Sequence, residues 1–239
     1  MSASIKDADM GDSQAGIHTG TPQGNTDDAS STPMAARPVC AFDAIVIGAS
    51  TGGIDALGIL LPALPAYLPV AVMIVVHIPP QRDSLLPALF QGRCTLPVSE
   101  ADPREPIQPG HVYFAPPDYH LMVESDRTWA LSQDAPVHYS RPSIDVLFET
   151  AAWSYGPRLL GILLTGANED GARGMQAISE AGGTTWAQSP ETALASVMPQ
   201  SAIALGSVDH VLSLPQMANR LQNLCDISAL STTHRDKGQ

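Results

Sequence analysis

The chain has 239 residues, of which 44% are hydrophobic and 15% charged, and its formal net charge is -12. An acidic chain without a cluster of Lys and Arg is poorly suited to bind phosphates, so we expect no nucleic-acid partner. Its longest apolar stretch, residues 70–76, is far shorter than the roughly 20 apolar residues that cross a bilayer. The N-terminus also lacks the apolar core of a signal peptide. We therefore expect a cytoplasmic protein that does not insert into a membrane.

Three cysteines, Cys40, Cys94 and Cys225, are widely separated along the chain and form no C-x-x-C pair. An odd number with this spacing is not typical of a zinc site or of a disulfide framework. We therefore expect no metal, no disulfide and a reducing compartment.

Composition divides the chain into three parts. Residues 1–38 are rich in Gly, Ser, Thr, Asp and Pro and show no periodicity, which predicts a disordered leader. The leader could serve as a tether or have no function. Residues 39–228 predict one folded domain, and residues 229–239 a flexible tail.

Short apolar runs alternate with helical patterns along the folded part. In chain order we predict a strand at 43–47, a helix at 54–61, a strand at 71–76, a helix at 84–90, strands at 111–115, 120–124 and 128–132, a helix at 143–155, a strand at 159–164, a helix at 171–180, a strand at 184–188, a helix at 200–205, a strand at 210–214 and a helix at 215–224. This alternation predicts an α/β fold: a doubly wound, mainly parallel sheet with helices on both faces. The three strands at 111–132 predict a small antiparallel hairpin patch beside it.

Three chemically useful side chains directly follow apolar strands of the predicted sheet. Ser50 lies in a glycine turn, His77 follows the next apolar strand, and Asp170 follows the strand at 159–164. Because the carboxyl ends of parallel strands meet at one edge of a sheet, we expect the three to lie together. A hydroxyl, an imidazole and a carboxylate are the set that acyl transfer requires.

Each of these residues also has an ordinary interpretation. The turn at Ser50 suits the binding of an anion as well as a nucleophile, His77 can be an ordinary strand-end histidine, and Asp170 can simply cap a helix. A nucleotide-binding turn predicts an acidic residue about 20 positions on, at the end of the next strand, but that strand ends in His77. The combination therefore favours a catalytic triad. Its order, Ser, His, Asp, differs from the α/β-hydrolase, trypsin-like and subtilisin orders.

Five segments, in order and correctly spaced, resemble the chemotaxis receptor protein-glutamate methylesterases, the CheB family, over roughly residues 42–224. The matching segments are VIGASTGG at 46–53, HIPP at 77–80, PGHVYFAP at 109–116, RPSIDVLF at 141–148 and LLTGANEDGA at 163–172. The resemblance implies a triad of Ser50, His77 and Asp170. It also implies hydrolysis of glutamate γ-methyl esters on the cytoplasmic helices of methylated chemoreceptors, and members often deamidate receptor glutamines too.

The resemblance further implies how the transition state is stabilised. The N–H of Thr51, beside the nucleophile, and a backbone N–H of the loop from Gly166 through Ala167 to Asn168 would meet the oxyanion. Such a donor is typically worth about 3 kcal/mol of barrier. The resemblance implies no metal and no organic cofactor.

Two departures from the family pattern affect the prediction. The family loop Thr-Gly-Met-Gly-x-Asp here has Ala167 and Asn168 in place of Met and Gly, with the negative Glu169 beside them. Members also carry a phosphoacceptor receiver domain, for which we find no strand–helix pattern here, so we expect constitutive activity or control by a separate regulator. A degenerate member that acts as a binding module in a chemosensory complex is therefore the alternative. We expect Arg141 to hold the helix at Ser143 through an acidic partner, rather than to contact substrate.

Overall fold

The computed structural model describes residues 39–78 and 85–226 of the chain. The predicted leader, the predicted tail, the first residue of the helix predicted at 84–90 and the two prolines that follow Ile78 lie outside these residues. No helix in the described part is both long enough and apolar enough to cross a membrane.

The observed elements alternate between strand and helix much as the sequence predicts. The strands are β1 (Val39–Cys40), β2 (Ala44–Ala49), β3 (Ala71–Val76), β4 (Val98–Glu100), β5 (Val112–Phe114), β6 (His120–Val123), β7 (Trp129–Ser132), β8 (Leu159–Leu163), β9 (Thr184–Gln188), β10 (His210–Leu212) and β11 (Cys225–Asp226). The helices are α1 (Gly53–Leu60), α2 (Leu86–Gln91), α3 (Ile144–Tyr155), α4 (Ala172–Glu180), α5 (Val197–Ala204) and α6 (Leu214–Gln222). Two short 3₁₀ turns follow α1 and α3, at Leu61–Ala63 and Gly156–Arg158.

The main sheet has seven strands in the order β10-β9-β8-β2-β3-β5-β4, and every neighbouring pair is parallel. The chain passes from β2 to β3 on one side and later returns to β8 on the other. The carboxyl end of β2 is therefore a topological switch point, where open α/β sheets form their binding crevices. This confirms the predicted doubly wound fold.

Both faces of the sheet are covered, which explains why its central strands are apolar throughout. Along β2, Ile45 and Ile47 join the core under α1, α2 and α6, while Ala44 and Val46 join the core under α3, α4 and α5. Side chains of a strand alternate between faces, so a strand buried on both sides needs an unbroken apolar run. Each buried Val, Leu or Ile contributes roughly 1.5–3 kcal/mol.

The prediction of three antiparallel strands at 111–132 is wrong for the first of them. Val112–Phe114 lies in the main sheet, parallel to both β3 and β4, whereas His120–Val123 and Trp129–Ser132 form the separate antiparallel pair. All three residues of β5 are buried, so this short strand gains more from apolar neighbours on both faces than from a hairpin. The strand at Val98–Glu100, which pairs with it, was not predicted.

The expectation of no disulfide is also wrong, because Cys40 and Cys225 form one. The two residues are 185 positions apart, but β1 and β11 pair antiparallel with Cys40 directly opposite Cys225, at a Cα–Cα distance of 4.3 Å. Sequence spacing shows no such register. Cys94 remains a free, buried thiol. The cysteines therefore no longer argue for a reducing compartment.

Candidate active site

The structure brings Ser50 and His77 together at the carboxyl edge of the sheet. Ser50 directly follows β2 and His77 directly follows β3, and the parallel register pairs Ala49 with Val76, the residues just before them. The backbone N–H of His77 donates to the carbonyl of Ala49 at 3.1 Å. Both side chains line an open cavity of about 380 Å³.

The turn after β2 leaves hydrogen-bond donors available around Ser50. Gly52 takes the left-handed conformation at φ 83°, and Gly53 donates its N–H to the carbonyl of Ser50 at 2.8 Å, which begins helix α1. Among the described residues, neither the hydroxyl of Ser50 nor the N–H of Thr51 has a hydrogen-bond partner. The positive end of the α1 dipole adds to these donors, so developing negative charge is stabilised at this turn.

His77 is oriented by Asp170. The Nε2 atom of His77 lies 2.8 Å from Oδ2 of Asp170, which is fully buried, while the His77 side chain is 12% exposed. An ionised carboxylate only accepts hydrogen bonds, so Nε2 carries the hydrogen and Nδ1 of the neutral ring carries a lone pair. Nδ1 is therefore the atom of His77 that can act as a base.

Asp170 is held by the start of helix α3 as well as by His77. Its Oδ1 accepts from the hydroxyl of Ser143 at 2.9 Å and from the N–H of Asp145 at 3.0 Å, and its Oδ2 accepts from the N–H of Ile144 at 2.8 Å. Burial alone would raise the pKa of Asp170, but the hydrogen bonds from His77 and from the N–H groups of Asp145 and Ile144 outweigh it and lower that pKa. Asp170 is therefore ionised at neutral pH.

Two glycines allow α3 to approach Asp170 this closely. A Cβ on Gly171, which has φ 94°, would lie 2.5 Å from Cδ1 of Leu163 and 2.8 Å from Cγ2 of Ile144. A Cβ on Gly48 would overlap the same Ile144 side chain. Only residues without a side chain fit here, so the sequence around β2 and β8 makes room for the helix end that binds the carboxylate.

The structure shows which N–H groups of the predicted oxyanion loop are available. The N–H of Gly166 donates to the carbonyl of Ala195 at 2.9 Å and is not available to a substrate. The side chain of Met198 occupies the space where a Cβ of Gly166 would lie. Ala167 is exposed, and no acceptor for its N–H lies in the part of the chain that the structure describes. Gly166 therefore uses its N–H within the protein, and Ala167 is the candidate donor in this loop.

The two polar residues that precede Asp170, Asn168 and Glu169, make specific contacts. Asn168 accepts the N–H of Asp170 through Oδ1 at 3.3 Å and donates from Nδ2 to the carbonyl of His138 at 3.4 Å. Glu169 extends outward, 67% exposed, with Oε1 3.3 Å from Nδ1 of His138. These side chains connect the Asp170 loop to the turn at His138 instead of filling the cavity beside Ser50.

Arg141 has the structural role that the sequence predicts. Its Nε and Nη2 atoms donate to Oδ1 of Asp118 at 3.0 and 2.6 Å, and Nη1 donates to the carbonyls of Gln133 and Asp134. These bonds use four of the five N–H donors of the guanidinium and connect the segment before α3 to the loops after β5 and β7.

Sequence reasoning missed the residues that complete the surroundings of the triad. The sequence around Ser143 is typical of a helix start, but its hydroxyl bonds to Asp170 and not to its own helix. Ser140 was not singled out, although its Oγ lies 3.4 Å from Nδ1 of His77. Ser143 lies in the segment at 141–148 that carries the family resemblance, which is the available signal, whereas Ser140 lies just before that segment. Within residues 39–78 and 85–226, no cluster of His, Cys, Asp and Glu is arranged to hold a metal ion.

A parallel α/β sheet with Ser, His and Asp at the ends of three adjacent strands defines a class of serine-dependent hydrolases. The family model described as CheB methylesterase matches residues 45–221. The chain therefore belongs to the CheB methylesterase family.

Individual relatives agree with this assignment. A Leptospira interrogans protein named for protein-glutamate methylesterase and protein-glutamine glutaminase activity is 47% identical over 177 residues, which cover 74% of this chain and 92% of that protein. Protein-glutamate methylesterase/protein-glutamine glutaminase 1 of Cupriavidus metallidurans is 41% identical, over 79% of this chain and 54% of that protein. The crystal structure of the Thermotoga maritima CheB methylesterase catalytic domain superposes with a TM-score of 0.73 at 32% identity, covering 77% of this chain and 98% of that one.

Proposed function

We propose that this protein hydrolyses γ-methyl esters of glutamate side chains on chemoreceptors, with Ser50 as nucleophile. The observation that carries the proposal is the 2.8 Å hydrogen bond between His77 and the buried carboxylate of Asp170. His77 also lines the same cavity as Ser50. The names of the Leptospira and Cupriavidus relatives support the same substrate class. A receptor helix substrate would place the protein in the cytoplasm.

The first half of the reaction forms an acyl-enzyme. Oγ of Ser50 attacks the ester carbonyl carbon while Nδ1 of His77 takes the hydroxyl proton, and Asp170 stabilises the imidazolium through Nε2. The carbonyl oxygen becomes an oxyanion, which the N–H groups of Thr51 and Ala167 stabilise. When the tetrahedral intermediate collapses, the bond between the acyl carbon and the methoxy oxygen breaks. The methoxy oxygen takes the proton from Nδ1 and leaves as methanol.

The second half regenerates the enzyme. A water molecule gives a proton to Nδ1 of His77 and attacks the acyl carbon, and collapse of the new intermediate breaks the bond to Ser50 Oγ, which recovers its proton. The product is a glutamate side chain. The same steps convert a glutamine amide to glutamate with ammonia as the leaving group, the second activity in the relatives' names.

The decisive experiment is methanol release from a methylated receptor by the wild type and by Ser50→Ala. We expect Ser50→Ala to lose at least about 1,000-fold in kcat, because no other group can form the acyl-enzyme. Ser179→Ala, which removes an exposed hydroxyl on α4, is the matched control and should retain full activity.

The alternative, a binding module without catalysis, makes a different prediction. Such a protein would bind the receptor, would not hydrolyse a simple ester, and would not react at Ser50 with a fluorophosphonate. Retention of methanol release by Ser50→Ala would rule out the proposed triad, whereas inactivity of the wild type towards every ester would favour the binding module.

A further inference from the structure

A strained two-residue turn lies beside the proposed active site. Val137 and Ser140 exchange backbone hydrogen bonds at 3.1 and 2.8 Å, and the two residues between them, His138 and Tyr139, have φ values of 46° and 62°. Hairpin turns with two positive φ values strongly prefer Asn and Gly, and this turn has neither. Non-glycine residues stay in this conformation only where the surroundings hold them, and such strain is concentrated at functional sites.

The contacts that hold the turn come from the loop of Asp170 and the start of α3. Nε2 of His138 lies 3.4 Å from Oδ2 of Asp145, and its Nδ1 lies 3.3 Å from Oε1 of Glu169. The carbonyl of His138 accepts from Nδ2 of Asn168. The imidazole therefore lies between two carboxylates, one buried and one exposed, and Asn168 and Glu169 of the Asp170 loop both contact this turn.

The turn places the hydroxyl of Ser140 next to the base. Its Oγ lies 3.4 Å from Nδ1 of His77, on the ring edge opposite the bond to Asp170, and 3.4 Å from the carbonyl oxygen of His138. A hydroxyl can both donate and accept, so Ser140 can serve either protonation state of the ring. Neutral Nδ1 accepts from the Ser140 hydroxyl. When Nδ1 is protonated, it donates to Ser140 Oγ, which donates its own hydrogen to the carbonyl of His138.

We propose that Ser140 is a positioning residue for His77, and that the contacts of His138 with Glu169 and Asp145 hold Ser140 in place. Asp170 then holds the imidazole at Nε2 throughout the reaction, and Ser140 holds it at Nδ1 whenever Nδ1 is not exchanging a proton with Ser50, water or the leaving group. The imidazolium is stabilised more than the neutral ring. Its Nδ1–H donates to Ser140, which in turn donates to the carbonyl of His138, whereas neutral Nδ1 only accepts from Ser140. This inference rests on the proposed function, since it assigns to His77 the role of base.

The direct test compares Ser140→Ala with Ser140→Thr in hydrolysis of a neutral small ester and of the methylated receptor. Loss of one such hydrogen bond should lower kcat about threefold to tenfold and leave KM within about twofold, because Ser140 contacts the base and not the ester. Ser140→Thr keeps a hydroxyl and should restore most of kcat, while Ser179→Ala should match the wild type. An unchanged kcat in Ser140→Ala, or a loss that Thr does not restore, would overturn the proposal.

The second test asks whether the turn acts through Ser140. His138→Asn keeps a residue that tolerates positive φ but removes both contacts with carboxylates. We expect it to lower kcat by a similar factor, and the double variant Ser140→Ala/His138→Asn to lose little beyond Ser140→Ala alone. Fully multiplicative losses would show that the two residues act independently, contrary to the proposal.

A spectroscopic test does not depend on turnover. In protein labelled with ¹⁵N-histidine, Ser140→Ala should shift the Nδ1 resonance of His77 and leave its Nε2 resonance nearly unchanged, with His77→Gln used for assignment. An unchanged Nδ1 resonance would reject the positioning role even if Ser50 proves not to be catalytic. Conversely, a shifted resonance together with a fully active Ser50→Ala would reject the proposed function alone.

Discussion

Asp170 accepts a 2.8 Å hydrogen bond from His77 with the same Oδ2 atom that accepts the N–H of Ile144 at the start of helix α3. The carboxylate thus caps a helix and orients an imidazole at the same time. The sequence offered these as competing interpretations of one residue, but the structure combines them. Because the capped helix is α3 and not the helix that follows Asp170 in the chain, the carboxylate also connects the ends of β3 and β8 to the start of α3.

Replacing Asp170 by Asn tests this double role. An amide presents an NH₂ group to a site where four donors already converge, so it can no longer hold His77 in the tautomer that leaves Nδ1 free. We expect kcat for a small ester to fall about 10³- to 10⁴-fold with a smaller change in KM. Thermal melting of the variant checks that it remains folded. A folded Asp170→Asn with kcat within tenfold of wild type would contradict the assignment.

Ionisation of the buried Asp145 carboxyl should lower the stability of the folded protein. Burial raises the pKa of Asp145, and the nearby charge of Asp170 adds to this, although the N–H of Gly174 and the charge of His138 oppose it. The folded state therefore binds this proton more tightly than the unfolded state, and ionisation costs stability as pH rises above about 4 through the raised pKa. Asp145→Asn keeps an acceptor for Gly174 and avoids this cost.

We expect the free energy of unfolding of Asp145→Asn, relative to that of the wild type, to increase between pH 4 and pH 7, which means a relative gain in stability. Urea unfolding at both pH values measures the difference. Glu180→Gln, which changes an exposed carboxylate on α4, is the control and should show little pH-dependent difference from wild type. A difference for Asp145→Asn that is the same at both pH values would contradict the prediction.

The disulfide between Cys40 and Cys225 should stabilise the domain substantially. It closes a loop of 185 residues between two short edge strands, and crosslinks of this kind contribute about 2–4 kcal/mol by restricting the unfolded chain. We expect reduction by a phosphine to lower the melting temperature by roughly 5–15 °C. The double variant Cys40→Ser/Cys225→Ser should melt at the lower temperature and be insensitive to reductant. Equal melting temperatures for oxidised and reduced wild type would contradict this expectation.

Local pattern was sufficient where an element's own residues decide its structure. The strands at 71–76 and 184–188 have the predicted bounds. Most residues of both strands are buried in the sheet, so each strand is visible in its own short run of sequence. Helix α3 begins within one residue of its predicted start, where Pro142 and Ser143 precede it. Pattern was insufficient for Val112–Phe114, whose three residues fit either a hairpin or a parallel sheet. Its partners are distant in the chain, so only the assembled sheet decides between the two.

The sequence by itself determined the α/β fold and the candidate triad. An apolar strand followed by a polar residue marks a carboxyl end, and the parallel sheet brings such ends together at a single edge. Only the tertiary structure decided which nitrogen of His77 bonds to Asp170, which donors hold Asp170, that Gly166 is already bonded, and that Ser140 faces the ring. Each of these depends on contacts between segments far apart in the chain, at distances of about 3 Å. Such contacts depend on how elements pack against one another, which the periodicity of a single segment does not encode.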